Sequence, residues 1–516
     1  MEAERLSAWG HGPWDARVQF RTDDRGGSFA YRPNQILTTQ SALGAVQDAL
    51  GGVLRAEAVE HLFPNDRNDD DGAALVLVRG VPNPIELVRR LRAAHFVAQP
   101  NHVFFATPVG FPNPVGFPNP VGFPNPVGFP NPVGFPNPVG FPNPYGWANA
   151  YGVPNPVGFP NPVGFPNPVG FPNPVGFPNP VGFPNPWSVP WGGPAVGRAK
   201  AERRSTAVPA ALPETSRNRV ARKGVPAPHV LVIDSGIAKG ARPKGAKGPV
   251  SKVPSVVAAA ARLASVSAGG DAESWDANGD LILDPFAGHG TFIAGLIADV
   301  APGCKVTVEA GLSSYGDTDD KQIAQSLRER FPVGGPKKYD IVSMSFAGFC
   351  LDDDPPLALS TEIARIQTET RDAADFHTGD LIAERVVFVA SAGNDASPRC
   401  TWPASFESVI SVGALGPDGP APFTNYGAWV QASAPGVDVV STFFDLTKED
   451  ALFDATDFRG WAQWSGTSFS APTVAAEIAW EWIGRGGAGR VGEVAEWLLN
   501  RDGVYKHPWL GTVFND

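Results

Sequence analysis

Three short segments in the second half of this 516-residue chain carry an aspartate, a histidine and a serine: DSG at 234–236, GHGTFIAG from Gly288 and GTSFSAP from Gly466. Acyl transfer needs a nucleophile, a base that takes its proton and a group that orients the base. Ser468, His289 and Asp234 have the right chemistry for those three roles. A fourth segment, SAGND, offers Asn394, whose amide can donate a hydrogen bond to an oxyanion. Singly, each has a plainer reading: a carboxylate capping a turn, a satisfied structural histidine, a serine N-cap, a turn asparagine. Four such residues in one compatible order favour the chemical reading.

Local context supports it. Asp234 closes the apolar run VLVI, so its carboxylate emerges where a parallel sheet presents its ligands. His289 lies between two glycines at the start of the helical pattern FIAGLIADV. The positive end of a helix disfavours an imidazolium, which suits a neutral base, and the glycines admit a close substrate backbone. Ser468 follows Gly466 at another helix start, where its own N–H faces outward beside the hydroxyl that attacks.

Positioning these groups calls for strands that end at a common edge, and the sequence from residue 227 has that pattern. The runs at 229–234, 305–310, 339–345, 385–391 and 408–414 are apolar, as buried parallel strands are. Helical patterns fall between them, near 254–266, 289–299, 319–330, 357–375 and 468–484. The expected fold class is α/β, a doubly wound parallel sheet over 227–490 with its site at the carboxyl ends of the strands. Residues 491–516 are left as a C-terminal segment.

Upstream, residues 30–107 alternate in the order strand, helix, strand, strand, helix, strand, which predicts a small α+β domain of the ferredoxin-like kind. Residues 1–29 assign nothing. From 108 to 185 the hexad PVGFPN is tiled thirteen times, eleven of them exact, with variants from Pro144 and Ala150. Two prolines per exact unit exclude helix and sheet interior and leave polyproline II broken by turns, a spacer. Phe111, Phe117, Phe123 and their successors would line one edge and offer a surface to a partner; a repeat-expanded linker is the competing reading. The basic linker 186–226 reads as exposed and protease-sensitive.

Composition narrows the function classes. A net charge of −11 and a pI near 5.3 argue against an electrostatic nucleic-acid binder. No stretch approaches the roughly 18 apolar residues of a membrane span, and the start MEAERLSAWGHGPW lacks the pattern of a secretory signal. The expectation is a cytoplasmic product, with non-classical export as the other route. Three cysteines are too few for a disulfide framework. In DANGD, Asp276, Asn278 and Asp280 place oxygen ligands at alternate positions, as at the start of a calcium loop. No glutamate follows at the EF-hand distance, and a solvated loop is the competing reading.

Together VIDSG, GHGTFIAG, SAGN, FTNYG with SAPG (423–436) and GTSFSAP resemble, in order and context, the subtilisin-like serine peptidases over about 227–490. The resemblance implies a serine endopeptidase working through an acyl-enzyme on Ser468, with His289 as base and then acid and Asp234 as orienter. Asn394 and Ser468 would form the oxyanion hole. It also implies protein or peptide substrates, no cofactor required for catalysis, structural calcium as an optional addition, and a substrate-binding edge at Ser345, Phe346, Ala347 and Gly348. Ala347 stands where the family usually has glycine, so its methyl would narrow the primary pocket.

Residues 30–107 are similar to the propeptides of these enzymes, which implies a proenzyme inhibited by its own domain, with NHVFFATP as the strand in the cleft. A cut after Thr107 would leave Pro108 just beyond the scissile bond, and a tertiary amide is a poor substrate. Processing is therefore expected elsewhere, at Phe104 and Phe105 or within 197–224. The family fold also brings Cys350 near Cys400, leaving a bridge or two free thiols open. An inactive scaffold acting through its aromatic repeat is the alternative function; the intact set Asp234, His289 and Ser468 speaks against it.

Overall fold

Runs such as VLVI and VFVA can be buried on both faces, and they form the middle of a ten-stranded sheet. The structure, a computed structural model, describes residues 17–24, 27–52, 55–63, 74–113, 219, 221–237, 265–268, 273, 275–277, 283–284, 286–369, 386–444 and 461–514. The hexads beyond Asn113, nearly all of 186–226 and most of the helical pattern expected near 254–266 lie outside the described residues.

In the large sheet the strands Ala432–Pro435, Val409–Gly416, Val387–Ser391, Ile341–Met344, His229–Asp234, Lys305–Ala310 and Ser265–Ala268 follow one another, all parallel. Alternate side chains of His229–Asp234 enter different cores, because the period of a strand is two. Val230 and Val232 pack with Phe292 and Phe469, from the helices His289–Val300 and Thr467–Gly484. Leu231 and Ile233 pack with Ile323 and Ile363, from the helices Asp320–Arg330 and Leu357–Glu369. Helices therefore cover both faces of the sheet, as the α/β pattern predicts. Among the described residues no helix is long and apolar enough to cross a membrane.

Some elements were not legible in advance. Ala432–Pro435 is a strand because it pairs with Val412–Leu415, although ASAP has no β-branched residue. The tail adds the helix Val491–Asn500 and the strands Lys506–His507 and Gly511–Val513, which extend the sheet edge.

The N-terminal sheet runs Ala98–Ala106, Ser28–Thr39, Leu75–Arg79, Val59–His61, all antiparallel. The run SFAYRPNQILTT forms one strand, Ser28–Thr39. Its pairing with Ala98–Ala106 slips between Tyr31 and Ile36, where Asn34 has φ 60°. The helices Leu43–Ala49 and Pro84–Ala93 complete this unit. Gln19–Thr22, from the unassigned first segment, pairs with Ser28–Tyr31.

The last strand leaves its own sheet for the other unit. Residues 98–102 pair with Ser28–Thr39, whereas 103–106 lie between two edges of the peptidase-like region, Asp317–Asp319 and Phe346–Ala347. Charge pairs lock this contact: Arg32 reaches Asp317 at 2.8 Å and Asp319 at 2.6 Å, and Arg17 reaches Asp317 at 3.1 Å. Burial opposes ionisation of Asp317, but the two guanidiniums outweigh it and hold the carboxyl below its usual range.

Candidate active site

Three strand and helix ends meet above the carboxyl edge of the large sheet. Asp234 ends its strand, and its Oδ1 lies 2.7 Å from Nδ1 of His289, the first residue of its helix; both side chains are fully buried. The His289 ring lies 5.6 Å from Trp464 and 5.5 Å from Phe469, centroid to centroid. Its Nε2 has no hydrogen-bond partner among the described residues, which leaves it open to take a proton.

Ser468 is the second residue of the helix Thr467–Gly484 and is fully buried. Its hydroxyl is engaged by the chain's own Thr107. Thr107 N–H donates to Ser468 Oγ at 2.9 Å, and Thr107 Oγ1 lies 2.8 Å from the same oxygen. Ser468 Oγ also lies 3.2 Å from the Ser345 carbonyl, an acceptor for its proton.

The Thr107 carbonyl points at a pair of donors. Ser468 N–H donates to it at 3.3 Å, and Asn394 Nδ2 donates to it from the other side. Asn394 is held by its other end, its Oδ1 accepting from Thr467 N–H at 3.0 Å and Thr467 Oγ1 at 2.9 Å. Two donors fixed on one carbonyl oxygen are what a developing oxyanion requires.

The Thr107–Pro108 bond therefore lies across the Ser468 hydroxyl, and the chain continues beyond it. Val109–Asn113 forms a strand antiparallel to Trp461–Ser465, so the first PVGFPN unit runs along the far side of the cleft. Gly466, with φ 146°, makes this passage feasible: a Cβ there would fall 2.6 Å from Pro108 Cα.

The other expected site residues divide. Phe346 and Ala347 pair with Ala106 and Phe105, and the Ser345 carbonyl accepts from Thr107 N–H at 3.3 Å. Gly348 pairs with Trp402, and a Cβ on it would meet Phe104 at 2.8 Å. Ala347 joins Gly348, Phe105, Thr107 and Asp395 in lining a pocket beside the bond. Asp276 is buried, while Asn278 and Asp280 lie outside the described residues; no group of three metal-ligating side chains occurs among the described ones. Cys350 and Cys400 are free thiols rather than a bridge. Burial raises the Cys350 thiol well above its ordinary pKa, which keeps it protonated and unreactive.

Motif reading missed Glu273. It lies sixteen residues before His289 in no recognisable pattern, yet it is buried and bonded to both the Asp234 turn and the His289 helix. Only the approach of those two segments brings it into the site.

Fold and site together define an α/β protein that carries aspartate, histidine and serine at the carboxyl edge of its parallel sheet. The model of the Subtilase family matches residues 227–484, and the chain belongs to that family. It is similar to the "Thermophilic serine proteinase" of Bacillus sp. (strain AK1), 31% identical over 202 residues, 37% of this chain and 41% of that protein. It is also similar to the "Extracellular basic protease" of Dichelobacter nodosus, 40% identical over 103 residues, 20% of this chain and 16% of that protein. The chain thus spans less than half the length of either relative. Among solved structures, a cold adapted subtilisin-like serine proteinase aligns at 20% identity with a TM-score of 0.38, covering 57% of this chain and 95% of that one.

Proposed function

We propose that the chain is a serine endopeptidase made as a self-inhibited precursor. The Thr107 carbonyl carries this reading, because it lies between Ser468 N–H and the Asn394 amide in the middle of an uninterrupted peptide. A substrate carbonyl has to lie in the same place for acyl transfer. Ser468 Oγ attacks that carbon and passes its proton to His289 Nε2, while Asp234 holds the Nδ1–H side of the ring. The oxyanion draws on the two donors. His289 then protonates the leaving amine, and water, activated by the same imidazole, releases the acyl group. No step calls for a cofactor.

Attack requires Ser468 Oγ to exchange its contacts with Thr107 and Ser345 for one with His289 Nε2. The resting contacts therefore favour a blocked nucleophile. The N-terminal strand order, fourth, first, third, second, supports the ferredoxin-like reading of residues 30–107, and its last strand lies in the cleft as an inhibitor would. Pro108 supports persistence of the bond, since it makes the amide at the nucleophile tertiary. Processing then falls elsewhere, and the linker 186–226 offers basic sites for it.

A fluorophosphonate probe tests the reading on the purified chain before and after cleavage in that linker. Expected are an adduct on Ser468, faster formation after cleavage, peptide hydrolysis that follows the adduct-forming fraction, and loss of both in Ser468→Ala. No adduct and no hydrolysis in either form would overturn it.

A further inference from the structure

Glu273 joins the two segments that carry Asp234 and His289. It is 8% exposed. Its Oε1 accepts from Ser235 Oγ and from Gly288 N–H at 2.7 Å, and its Oε2 accepts from Thr291 Oγ1 at 2.8 Å. Ser235 Oγ accepts from Gly290 N–H at 3.0 Å and lies 3.3 Å from Asp234 Oδ1. Ser235 N–H donates to that Oδ1 at 2.8 Å, and the same oxygen faces His289 Nδ1. One carboxyl therefore grips the residue after the aspartate and both the residue before and the second residue after the histidine.

We propose that Glu273 is a positioning residue for the Asp234–His289 pair, clamping the turn after Asp234 to the first turn of the His289 helix and setting, through Ser235, the donors that reach Asp234 Oδ1. The inference rests on the reading of Asp234, His289 and Ser468 as the catalytic set. Burying a carboxyl with three donors and, among the described residues, no cation is costly if its only use is structural, because an amide or an apolar side chain fills such a space more cheaply.

The clamp has two states. Ser235 has one hydroxyl proton, so it can donate to Glu273 or to Asp234 but not to both. Neutral Glu273 donates to Ser235 Oγ and frees the hydroxyl to donate to Asp234 Oδ1. Ionised Glu273 draws the hydroxyl back, and Asp234 loses that donor while facing a second negative charge. Burial pushes the Glu273 carboxyl up to about 8, with Ser235, Thr291 and Gly288 opposing and the charge of Asp234 adding to the rise. Among the described residues Asp234 is the ionisable group that faces it, and the remaining partners are hydroxyls and a backbone N–H. The two states therefore exchange near the pH at which a serine–histidine enzyme would be working.

The test measures kcat and KM for a chromogenic peptide from pH 6 to 10, in linker-cleaved protein whose sites are counted with the fluorophosphonate. Expected for Glu273→Ala is a kcat lowered about tenfold or more, with KM within about twofold, the size typical for loss of an outer partner of a site residue. Glu273→Gln cannot ionise, so no second negative charge comes to face Asp234 at any pH, and kcat at pH 7 stays within about threefold. The unmutated protein is expected to lose kcat above pH 8, and in Glu273→Gln that fall disappears. Ser235→Ala repeats the loss, and its effect is less than additive with that of Glu273→Ala. If Glu273→Ala does not fold, the profiles of Glu273→Gln and Ser235→Ala decide. An unchanged alkaline limb in Glu273→Gln overturns the proposal. Hydrolysis that does not depend on Ser468 in the unmutated protein overturns this proposal and the proposed function together, whereas unaltered Glu273 variants beside normal Ser468-dependent hydrolysis overturn this one alone.

Discussion

Replacing Asn394 separates two jobs done by one side chain. Its Nδ2 donates to the Thr107 carbonyl, and its Oδ1 accepts from Thr467 N–H at 3.0 Å and Thr467 Oγ1 at 2.9 Å. Asn394→Ala removes both; Asn394→Asp keeps the acceptor and removes the donor. Loss of one oxyanion donor lowers kcat by roughly 10²–10³, about 2.7–4 kcal/mol, a magnitude established on subtilisin and carried over here. Alanine additionally leaves the buried Thr467 N–H without its acceptor, which costs about 1–3 kcal/mol of stability. Both variants should therefore lose kcat with little change in KM, because the donor works hardest on the charge that develops in the transition state. Only the alanine variant should lose thermal stability beyond that. Aspartate should lose at least as much kcat as alanine, since its charge faces the oxyanion. The assay is peptide hydrolysis by linker-cleaved protein, paired with a thermal melt. If Asn394→Asp retains kcat within about threefold, the carbonyl position taken by Thr107 is not the oxyanion position, and the reasoning fails.

Three further predictions follow from the contact between the two units. Pro108→Ala restores an ordinary secondary amide at the nucleophile, so peptide mapping should find a new cut after Thr107 that vanishes when Ser468→Ala is added; a cut there in the unmutated chain refutes the role given to Pro108. Among the described residues, Arg32→Ala leaves Asp317, 2% exposed, with Arg17 as its cation. Docking should weaken by up to about 3–5 kcal/mol, read as faster labelling of Ser468 in the intact chain. His102 accepts from Leu351 N–H at 3.0 Å, and burial, with the charge of Arg92, pushes its pKa down from 6.5 to about 3. A depressed folded value means this contribution is complete above pH 6.5 and is lost as pH falls toward 3. Between pH 7 and 5 the loss is about 2 kcal/mol. Burial raises the carboxyls of Glu273 to about 8 and Asp320 to about 7, so their contributions have the opposite sign and fade as pH rises. The measurement is therefore the difference in urea midpoint between the unmutated protein and His102→Gln at each pH, and equal slopes for the two would remove His102 from the account.

Much of the site was legible because its residues sit in short segments where local geometry and chemistry coincide. Asp234 at a strand end, His289 between glycines and Ser468 at a helix start each have a context that any reader of the chain can recover. The strands around them were legible for a related reason: continuous apolar runs have little choice but a two-sided interior. Ala432–Pro435 and the strands of the C-terminal tail gave no such signal, since pairing and not propensity makes them strands.

What the sequence by itself determined is the set of candidate groups, their order and the parallel sheet that presents them, because each depends on neighbours a few residues away. The tertiary structure alone decided that Thr107 lies on Ser468, 361 residues further along the chain, and that the first hexad unit continues along the far side of the cleft. It alone brought Glu273 between Asp234 and His289, and it left Cys350 and Cys400 unbridged. Contacts across such separations depend on how two units dock and which loops close together, and no local pattern of residue types encodes that.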